Sequence, residues 1–136
     1  MDTEYSPRSF GIDAVLKENG VLCSCGKHHI TNVKEILIRQ GAIAQVPDII
    51  RRHGGSRVFL IADKNTFKAA GEALSCYMEK NNLPFSQFVF EKSPEPNEWA
   101  VGQVVMHYDA RCNFIVGVGS GTINDIGKIL AHITGL

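Results

Sequence analysis

The stretch FIVGVGSGTINDIGK, residues 114–128, decides the fold of this chain. It begins with an apolar run of strand length, passes through a turn rich in glycine, and continues into a segment whose apolar residues recur at helical spacing. A strand that leads directly through such a turn into an amphipathic helix is typical of a βαβ unit. The stretch therefore predicts an α/β protein built on a parallel sheet.

The turn also has the features of a phosphate-binding loop. A helix start leaves its first backbone N–H groups unpaired and carries about half a positive charge. Gly119 and Gly121 would let a pyrophosphate approach that backbone closely. Ser120 and Thr122 would add hydroxyl donors. We interpret the turn as a phosphate-binding loop, against the alternative of a tight strand-to-helix turn that holds no ligand.

Two common phosphate motifs match this turn only partly. Its glycine spacing departs from the dinucleotide fingerprint G-x-G-x-x-G, and the acid expected about 20 residues later would fall beyond Leu136. A P-loop is disfavoured because Ile129 follows Lys128, where a Ser or Thr must hold magnesium. Kinase or NTPase chemistry is therefore not expected.

Strand and helix patterns alternate through the rest of the chain. The predicted strands cover residues 35–41, 57–62, 85–90 and 113–118, and the predicted helices cover residues 42–53, 67–80, 97–108 and 123–133. Continuous apolar runs such as residues 57–62 are typical of parallel strands that are covered on both faces. We predict an irregular N-terminal lobe over residues 1–34, with one short helix at 13–19, and an α/β nucleotide-binding domain over residues 35–136, with helices on both faces of the sheet.

Asp63 is the second candidate binding residue. It follows the predicted strand 57–62, at the carboxyl end where open parallel sheets place residues that contact ligands. A carboxylate there can accept hydrogen bonds from the hydroxyls of an adenosine ribose, and it would repel a 2′-phosphate, which favours NAD over NADP. Capping of the next helix is an equally good reading. Asp125, one turn into the last helix, either reaches toward the same ligand or faces solvent.

Composition and charge exclude other classes of protein. In 136 residues, Lys+Arg 14 balance Asp+Glu 14, so nucleic acid is not an expected partner, because binding it calls for a basic surplus. No apolar run approaches the roughly 18 residues that cross a bilayer, and the first ten residues lack the pattern of a secretory signal. We expect a cytoplasmic protein that does not bind membranes.

One metal-like cluster stands near the N-terminus and consists of Cys23, Cys25, His28 and His29. Thiolate and imidazole suit zinc. The spacing Cys-x-Cys is closer than usual, however, and no second pair follows at the distance seen in zinc fingers. The sequence favours a structural role without a metal and leaves metal binding open.

Several segments resemble glycerol-1-phosphate dehydrogenases of the type also found in bacteria. They are CSCGKH at residues 23–28, VFLIADKNT at 58–66, SPEPN at 93–97 and, above all, residues 114–128. That family belongs with glycerol dehydrogenases, iron-containing alcohol dehydrogenases and dehydroquinate synthases. The resemblance covers residues 23–136 and implies a Rossmann-like sheet that forms the N-terminal half of a two-domain, dehydroquinate-synthase-like fold.

The resemblance also implies a cofactor and a reaction. NAD or NADP would be bound by Asp63, Gly119, Ser120, Gly121, Thr122 and Asp125. Hydride would pass between the cofactor and a small phosphorylated polyol, dihydroxyacetone phosphate or sn-glycerol 1-phosphate, in phospholipid biosynthesis. The alternatives are a dehydroquinate-synthase-like cyclase that eliminates phosphate and, in another class, a non-catalytic nucleotide- or metal-binding module. Proteins of this superfamily commonly form homo-oligomers.

A catalytic metal is the part of this resemblance that the chain does not match. In the family a divalent ion, zinc or nickel, polarises the substrate oxygen, and its Asp and two His ligands lie in the stretch that follows these residues and in a helical C-terminal domain. No residue here matches those ligands, so we assign neither a catalytic residue nor a metal ligand. The chain reads as a fragment that ends where the alternation predicts a further strand. We expect the full-length parent to be the enzyme and the isolated chain to bind cofactor without turnover.

Overall fold

The structure is a computed structural model that describes Leu16 and residues 20–136. It divides the chain into two compact units, residues 1–40 and 41–136. In the first unit, the described residues form one antiparallel hairpin of β1 (Val21–Leu22) and β2 (His28–His29). The helix predicted at residues 13–19 lies, except for Leu16, outside the described residues, and the boundary after residue 34 stays a prediction.

The second unit alternates strands and helices as the sequence predicts. A 3-10 turn (Ala42–Gln45) leads into α1 (Val46–Arg52), and these are followed by β3 (Val58–Asp63), α2 (Lys64–Thr66), a π-helical turn (Phe67–Gly71) and α3 (Glu72–Lys80). The remaining elements are β4 (Phe85–Phe90), α4 (Glu98–His107), β5 (Phe114–Val118) and α5 (Gly121–Thr134). The three strands predicted from residue 57 onward, and the helices that follow them, are confirmed.

The strand predicted at residues 35–41 is wrong. Residues 31–38 have no regular structure, and a bend and turn occupy residues 39–41. An apolar stretch becomes a strand only when another strand supplies backbone hydrogen bonds. Among the described strands none pairs with this segment, although its sequence, rich in isoleucine, has the composition of a strand.

The sheet of the second unit is parallel, with the strand order β4-β3-β5. Val58 pairs with Phe85 on one side and with Phe114 on the other, so the three strands start level. At the far end Asp63 pairs with Phe90, and Ala62 pairs with Val118. The carboxyl ends of all three strands therefore meet at one edge, and this edge carries the predicted binding residues.

Two hydrophobic layers cover the sheet because β3 sends alternate side chains to opposite faces. Phe59 and Ile61 pack in a cluster with residues of α4 and α5, whereas Val58, Leu60 and Ala62 pack in a cluster with residues of α1 and α3. All six residues of β3 are buried. The parallel sheet with helices on both faces confirms the predicted fold class.

Asp109 joins elements at the amino-terminal edge of the sheet. Its carboxylate accepts a hydrogen bond from the Ser86 hydroxyl in β4 at 2.9 Å and from the Arg111 guanidinium at 3.0 and 2.9 Å. Arg57, just before β3, lies 3.9 Å from the same carboxylate. Hydrogen bonds hold the pKa of Asp109 well below its usual range, and they come from the Arg111 side chain, the Arg111 backbone N–H and the Ser86 hydroxyl.

This contact predicts an acid-dependent loss of stability. A carboxyl whose pKa is lower in the folded state stabilises the fold above its unfolded pKa, about 3.9, and this contribution is lost as the pH falls toward the folded value. We expect the slope of unfolding free energy against pH, measured by urea denaturation between about pH 5 and pH 2, to be smaller in Asp109→Asn than in the parent. Asp48→Asn, an exposed aspartate in α1, is the control with the same charge change. Equal slopes in the Asp109→Asn variant and the parent would contradict the prediction.

Candidate functional site

Three connections between strands and helices meet at the carboxyl edge of the sheet. Asp63 ends β3 and directly precedes α2, the loop after β4 covers residues 91–97, and the turn after β5 consists of Gly119 and Ser120. Since Ala62 and Val118 are paired, Asp63 and Gly119 each follow one member of the same pair. The structure thus brings Asp63 and the glycine turn, which are more than 50 residues apart in sequence, to one end of neighbouring strands.

The start of α5 differs from the starts of the helices that follow β3 and β4. The Asp63 carboxylate caps α2, and the Asn97 side chain accepts a hydrogen bond from the Ala100 N–H at 3.0 Å to cap α4. Ser120 has an extended backbone before α5 and makes no side-chain cap hydrogen bond. The N–H groups in the first turn of α5 therefore remain available to a ligand, as anion binding at a helix N-terminus requires.

The two glycines of the turn have different roles. A Cβ atom at Gly119 would lie 2.6 Å from Ile123 Cγ1 and 2.9 Å from Ile123 Cβ, so only glycine lets the turn pack against the buried Ile123. A Cβ atom at Gly121 would meet no atom within 4 Å. Gly119 is thus required by packing within the chain, whereas Gly121 leaves open space in front of the helix start.

Thr122 and Asp125 complete the predicted set on α5. Thr122 is half-buried in the first turn of the helix, next to the uncapped N–H groups. Asp125 is exposed, and its carboxylate lies 2.8 Å from the Lys128 ammonium one turn later. The structure therefore gives Asp125 a partner on its own helix, and its predicted contact with a cofactor stays a prediction.

Asp63 makes the capping interactions that the sequence left open as an alternative. Its Oδ1 accepts hydrogen bonds from the N–H groups of Asn65 at 2.9 Å and Thr66 at 3.0 Å. The Asp63 N–H donates in turn to the Thr66 hydroxyl at 3.0 Å, which forms a capping box. Its Oδ2 lies 3.5 Å from the Ser93 hydroxyl, in the loop after β4. One carboxylate oxygen of this buried residue is therefore bound to the helix, and the other faces Ser93 in the loop after β4.

Sequence reasoning missed a cleft of about 340 Å³ beside this edge. The cleft lies between the loop after β4 and α4, and residues that line it include Ser93, Pro94, Glu95, Trp99 and Gln103. The Trp99 side chain is exposed, whereas its position at a helix start after a loop favours packing over ligand stacking. The two prolines of the segment 93–97 are the sequence signal for this loop, because they prevent regular structure there.

The hairpin of the first unit brings three metal-binding side chains together. The ligand atoms of Cys23, Cys25 and His29 all lie within 4.8 Å of one another, and Cys25 Sγ is 3.3 Å from His29 Nε2. His28, which the sequence grouped with them, is not a member of this group. Hydrogen bonds from the Cys25 backbone N–H and thiol, and from His29, lower the pKa of the Cys23 thiol to about 7.

A parallel sheet with helices on both faces and an uncapped glycine turn at its carboxyl edge defines a Rossmann-like α/β domain. A family model described as iron-containing alcohol dehydrogenase matches residues 37–136. The chain belongs to the iron-containing alcohol dehydrogenase family. None of the helices in the part of the chain that the structure describes is long and apolar enough to cross a membrane.

Curated proteins similar to the chain carry the name glycerol-1-phosphate dehydrogenase (NAD(P)+). The protein of Halalkalibacterium halodurans is 24% identical over 115 residues, which cover 81% of this chain and 29% of the relative. The protein of Geobacillus stearothermophilus is 24% identical over 117 residues, which cover 81% of this chain and 28% of the relative. The chain therefore spans less than a third of the length of these relatives.

The family name implies a metal, and the described residues differ from the ligands expected for it. Within Leu16 and residues 20–136, Cys23, Cys25 and His29 are the one group of three or more His, Cys, Asp or Glu side chains close enough to share an ion. Two thiols and one imidazole differ from the Asp and two His ligands that the resemblance implies for the catalytic metal. The described residues do not fit that metal, and we derive no reaction step through it.

The two glycines of the turn predict opposite results for alanine substitution. We expect Gly119→Ala to lower the free energy of unfolding by about 1–3 kcal/mol, because the new Cβ overlaps Ile123 in a packed position. Gly121→Ala places its Cβ in open space and should change the free energy by less than about 0.5 kcal/mol or increase it. Urea denaturation of both variants measures the difference. Equal stability of the two variants would contradict these distinct roles.

Proposed function

We propose that this chain is the NAD(P)-binding part of a metal-dependent oxidoreductase, and that the full-length protein interconverts dihydroxyacetone phosphate and sn-glycerol 1-phosphate. The observation that carries the proposal is the uncapped start of α5 at the same sheet edge as Asp63. Membership of the iron-containing alcohol dehydrogenase family supports it. So do the relatives named glycerol-1-phosphate dehydrogenase (NAD(P)+).

The pyrophosphate of the cofactor would bind at the first turn of α5. The N–H groups of Gly121 and Thr122 would donate to its oxygens, and the positive end of the helix dipole would favour its charge. The hydroxyls of Ser120 and Thr122 would add donors, since Ser120 is exposed and makes no cap. Gly119 has no side chain to obstruct this approach, and its own packing against Ile123 fixes the turn.

The adenosine ribose would contact Asp63. Because Oδ1 is held by two backbone N–H groups of α2, the carboxylate has a fixed orientation. Its Oδ2, which lies 3.5 Å from the Ser93 hydroxyl, would accept a hydrogen bond from a ribose hydroxyl. A 2′-phosphate would bring negative charge against this carboxylate, so we propose that NAD binds more tightly than NADP.

The bound nicotinamide would supply the chemistry of accepting or giving a hydride. The residues of this chain would hold and orient the dinucleotide and contribute no group that reacts with the substrate. Catalytic and metal-binding residues are proposed to belong to the rest of a longer parent protein, so the isolated chain would bind cofactor without turnover. We further propose that the full-length protein assembles as a homo-oligomer in the cytoplasm.

Fluorescence titration with NADH tests the assigned residues. Gly121→Val would place a branched side chain in the open space before α5 and block the pyrophosphate. Loss of charge-assisted hydrogen bonds worth about 1.5–3 kcal/mol corresponds to an affinity about 10- to 100-fold weaker. The control is Gly102→Val, because Gly102 is exposed in α4 and a Cβ there also meets no atom within 4 Å. Equal NADH affinity of the two valine variants would contradict the site.

Asp63→Asn separates the ribose contact from the capping role. Asparagine caps helices about as well as aspartate, so the fold should be kept. We expect the ratio of NADPH affinity to NADH affinity to rise about 10-fold, since a carboxylate no longer faces the 2′-phosphate; this corresponds to about 1.4 kcal/mol. Competition of NADPH with NADH, measured by the same fluorescence signal, gives the ratio. An unchanged ratio would contradict the role of Asp63.

A further inference from the structure

The N-terminal unit has no buried core among its described residues. None of residues 20–40 is buried. Its large apolar side chains are 43% to 77% exposed at Leu22, Ile30, Val33, Ile36 and Ile38. The two strands of its hairpin have two residues each. Short segments that bury this little apolar surface commonly depend on a disulfide or a bound metal for a defined structure.

The turn of this hairpin holds its two cysteines close together. The Cys23 N–H donates to the Lys27 carbonyl at 3.0 Å, and the Gly26 N–H donates to the Cys23 carbonyl at 2.9 Å. Gly26 has a φ of +78°, a left-handed conformation that favours glycine. His29 lies in β2, opposite Val21 in β1. The two thiols therefore come from the turn and the imidazole from the second strand, and their ligand atoms lie within 4.8 Å of one another.

The distances among these side chains are close to those around a tetrahedral zinc ion. With Zn–S bonds of about 2.3 Å and Zn–N bonds of about 2.0–2.1 Å, tetrahedral ligand atoms lie about 3.6–3.8 Å apart. The ligand atoms of Cys23, Cys25 and His29 are all within 4.8 Å of one another, and Cys25 Sγ lies 3.3 Å from His29 Nε2. Side-chain movements of about 1 Å suffice to reach the ideal distances.

We propose that Cys23, Cys25 and His29 bind one zinc ion that ties the turn of the hairpin to β2. Thiolate and imidazole are the donors that zinc prefers in proteins. Binding releases the two thiol protons to solvent and involves no change of oxidation state. Within the described part of the chain no fourth His, Cys, Asp or Glu joins the group, so the proposed site takes three ligands from these residues.

The ion would replace the hydrophobic core that the hairpin lacks. Because the ligands come from both the turn and the second strand, metal binding fixes the hairpin in the way that a disulfide closes a loop. A disulfide between Cys23 and Cys25 would stabilise the hairpin less well, because a ring closed over one intervening residue strains the bond. Both thiols are free in the structure. The zinc site does not depend on the proposed cofactor site.

Metal content and zinc affinity of the 136-residue chain test this proposal. The chain is purified without chelator, its zinc is measured by mass spectrometry, and its affinity is measured by competition with a chromophoric chelator. We expect one zinc per chain and an affinity at least about 10-fold weaker in Cys25→Ser and in His29→Gln, because even residues behind the ligands contribute about 10- to 100-fold. Replacement of zinc by cobalt should give a thiolate-to-cobalt charge-transfer band that weakens in Cys25→Ser.

Two matched controls come from the same chain. Cys76→Ser removes an exposed thiol of α3 that lies outside the cluster. His28→Gln removes the neighbouring histidine, which is not a member of the group. Both controls should keep the zinc affinity of the parent.

Three results would overturn the proposal: zinc affinity unchanged in Cys25→Ser and His29→Gln, a cobalt spectrum without the thiolate band, or a Cys23–Cys25 disulfide in zinc-free protein. An equal loss of affinity in His28→Gln would overturn the assignment of His29. Since zinc content and NADH binding are separate measurements, either site can fail without the other.

Discussion

Ala62 of β3 pairs with Val118 of β5 in a parallel register, and the candidate site depends on this pairing. The pairing is fixed because β3 is buried over its whole length, with Phe59 and Ile61 in one hydrophobic layer and its remaining apolar residues in the other. A shift of β3 by one residue would send each of its side chains to the opposite face of the sheet, where it would no longer fit the hydrophobic layer there. Asp63 and the glycine turn are therefore held at the same edge by the packing of the sheet rather than by contact with each other.

The helix starts at this edge differ in whether a side chain caps them. The helices after β3 and β4 begin at Asp63 and Asn97, whose side chains satisfy backbone N–H groups. No side chain caps α5, since Ser120 makes no cap hydrogen bond. Of the three helix starts at this edge, only that of α5 has first-turn N–H groups without a cap from a side chain. That difference is the physical basis of the proposed pyrophosphate contact.

The sequence predicted most of the sheet and the position of the site for identifiable reasons. The apolar run at residues 57–62 and the glycine turn after Val118 are local signals. Both predicted a parallel α/β fold, which the structure confirms. The strand at residues 35–41 failed because pairing is a property of the neighbours of a segment, which its own residues do not encode. The capping of α2 by Asp63 was one of two interpretations, and the contacts show the cap while the contact with a ribose stays a proposal.

The grouping of Cys23, Cys25 and His29 likewise depends on contacts between side chains, and metal binding by this group stays a proposal. Spacing in sequence disfavoured a metal, because Cys-x-Cys is closer than most zinc motifs. The distances that matter are those among side chains, and the hairpin turn brings His29 to within 3.3 Å of Cys25 Sγ. Trp99 is a further case, since exposure beside a cleft cannot be read from its position at a helix start.

The uncapped backbone of α5 is the proposed contact with the cofactor, and amide chemical shifts report on that backbone directly. In a titration of the isotope-labelled chain with NADH, we expect the largest shifts at the N–H groups of residues 119–123, accompanied by shifts at Asp63. Shifts confined to other parts of the chain, with the N–H groups of Gly121 and Thr122 unmoved at saturating NADH, would contradict it.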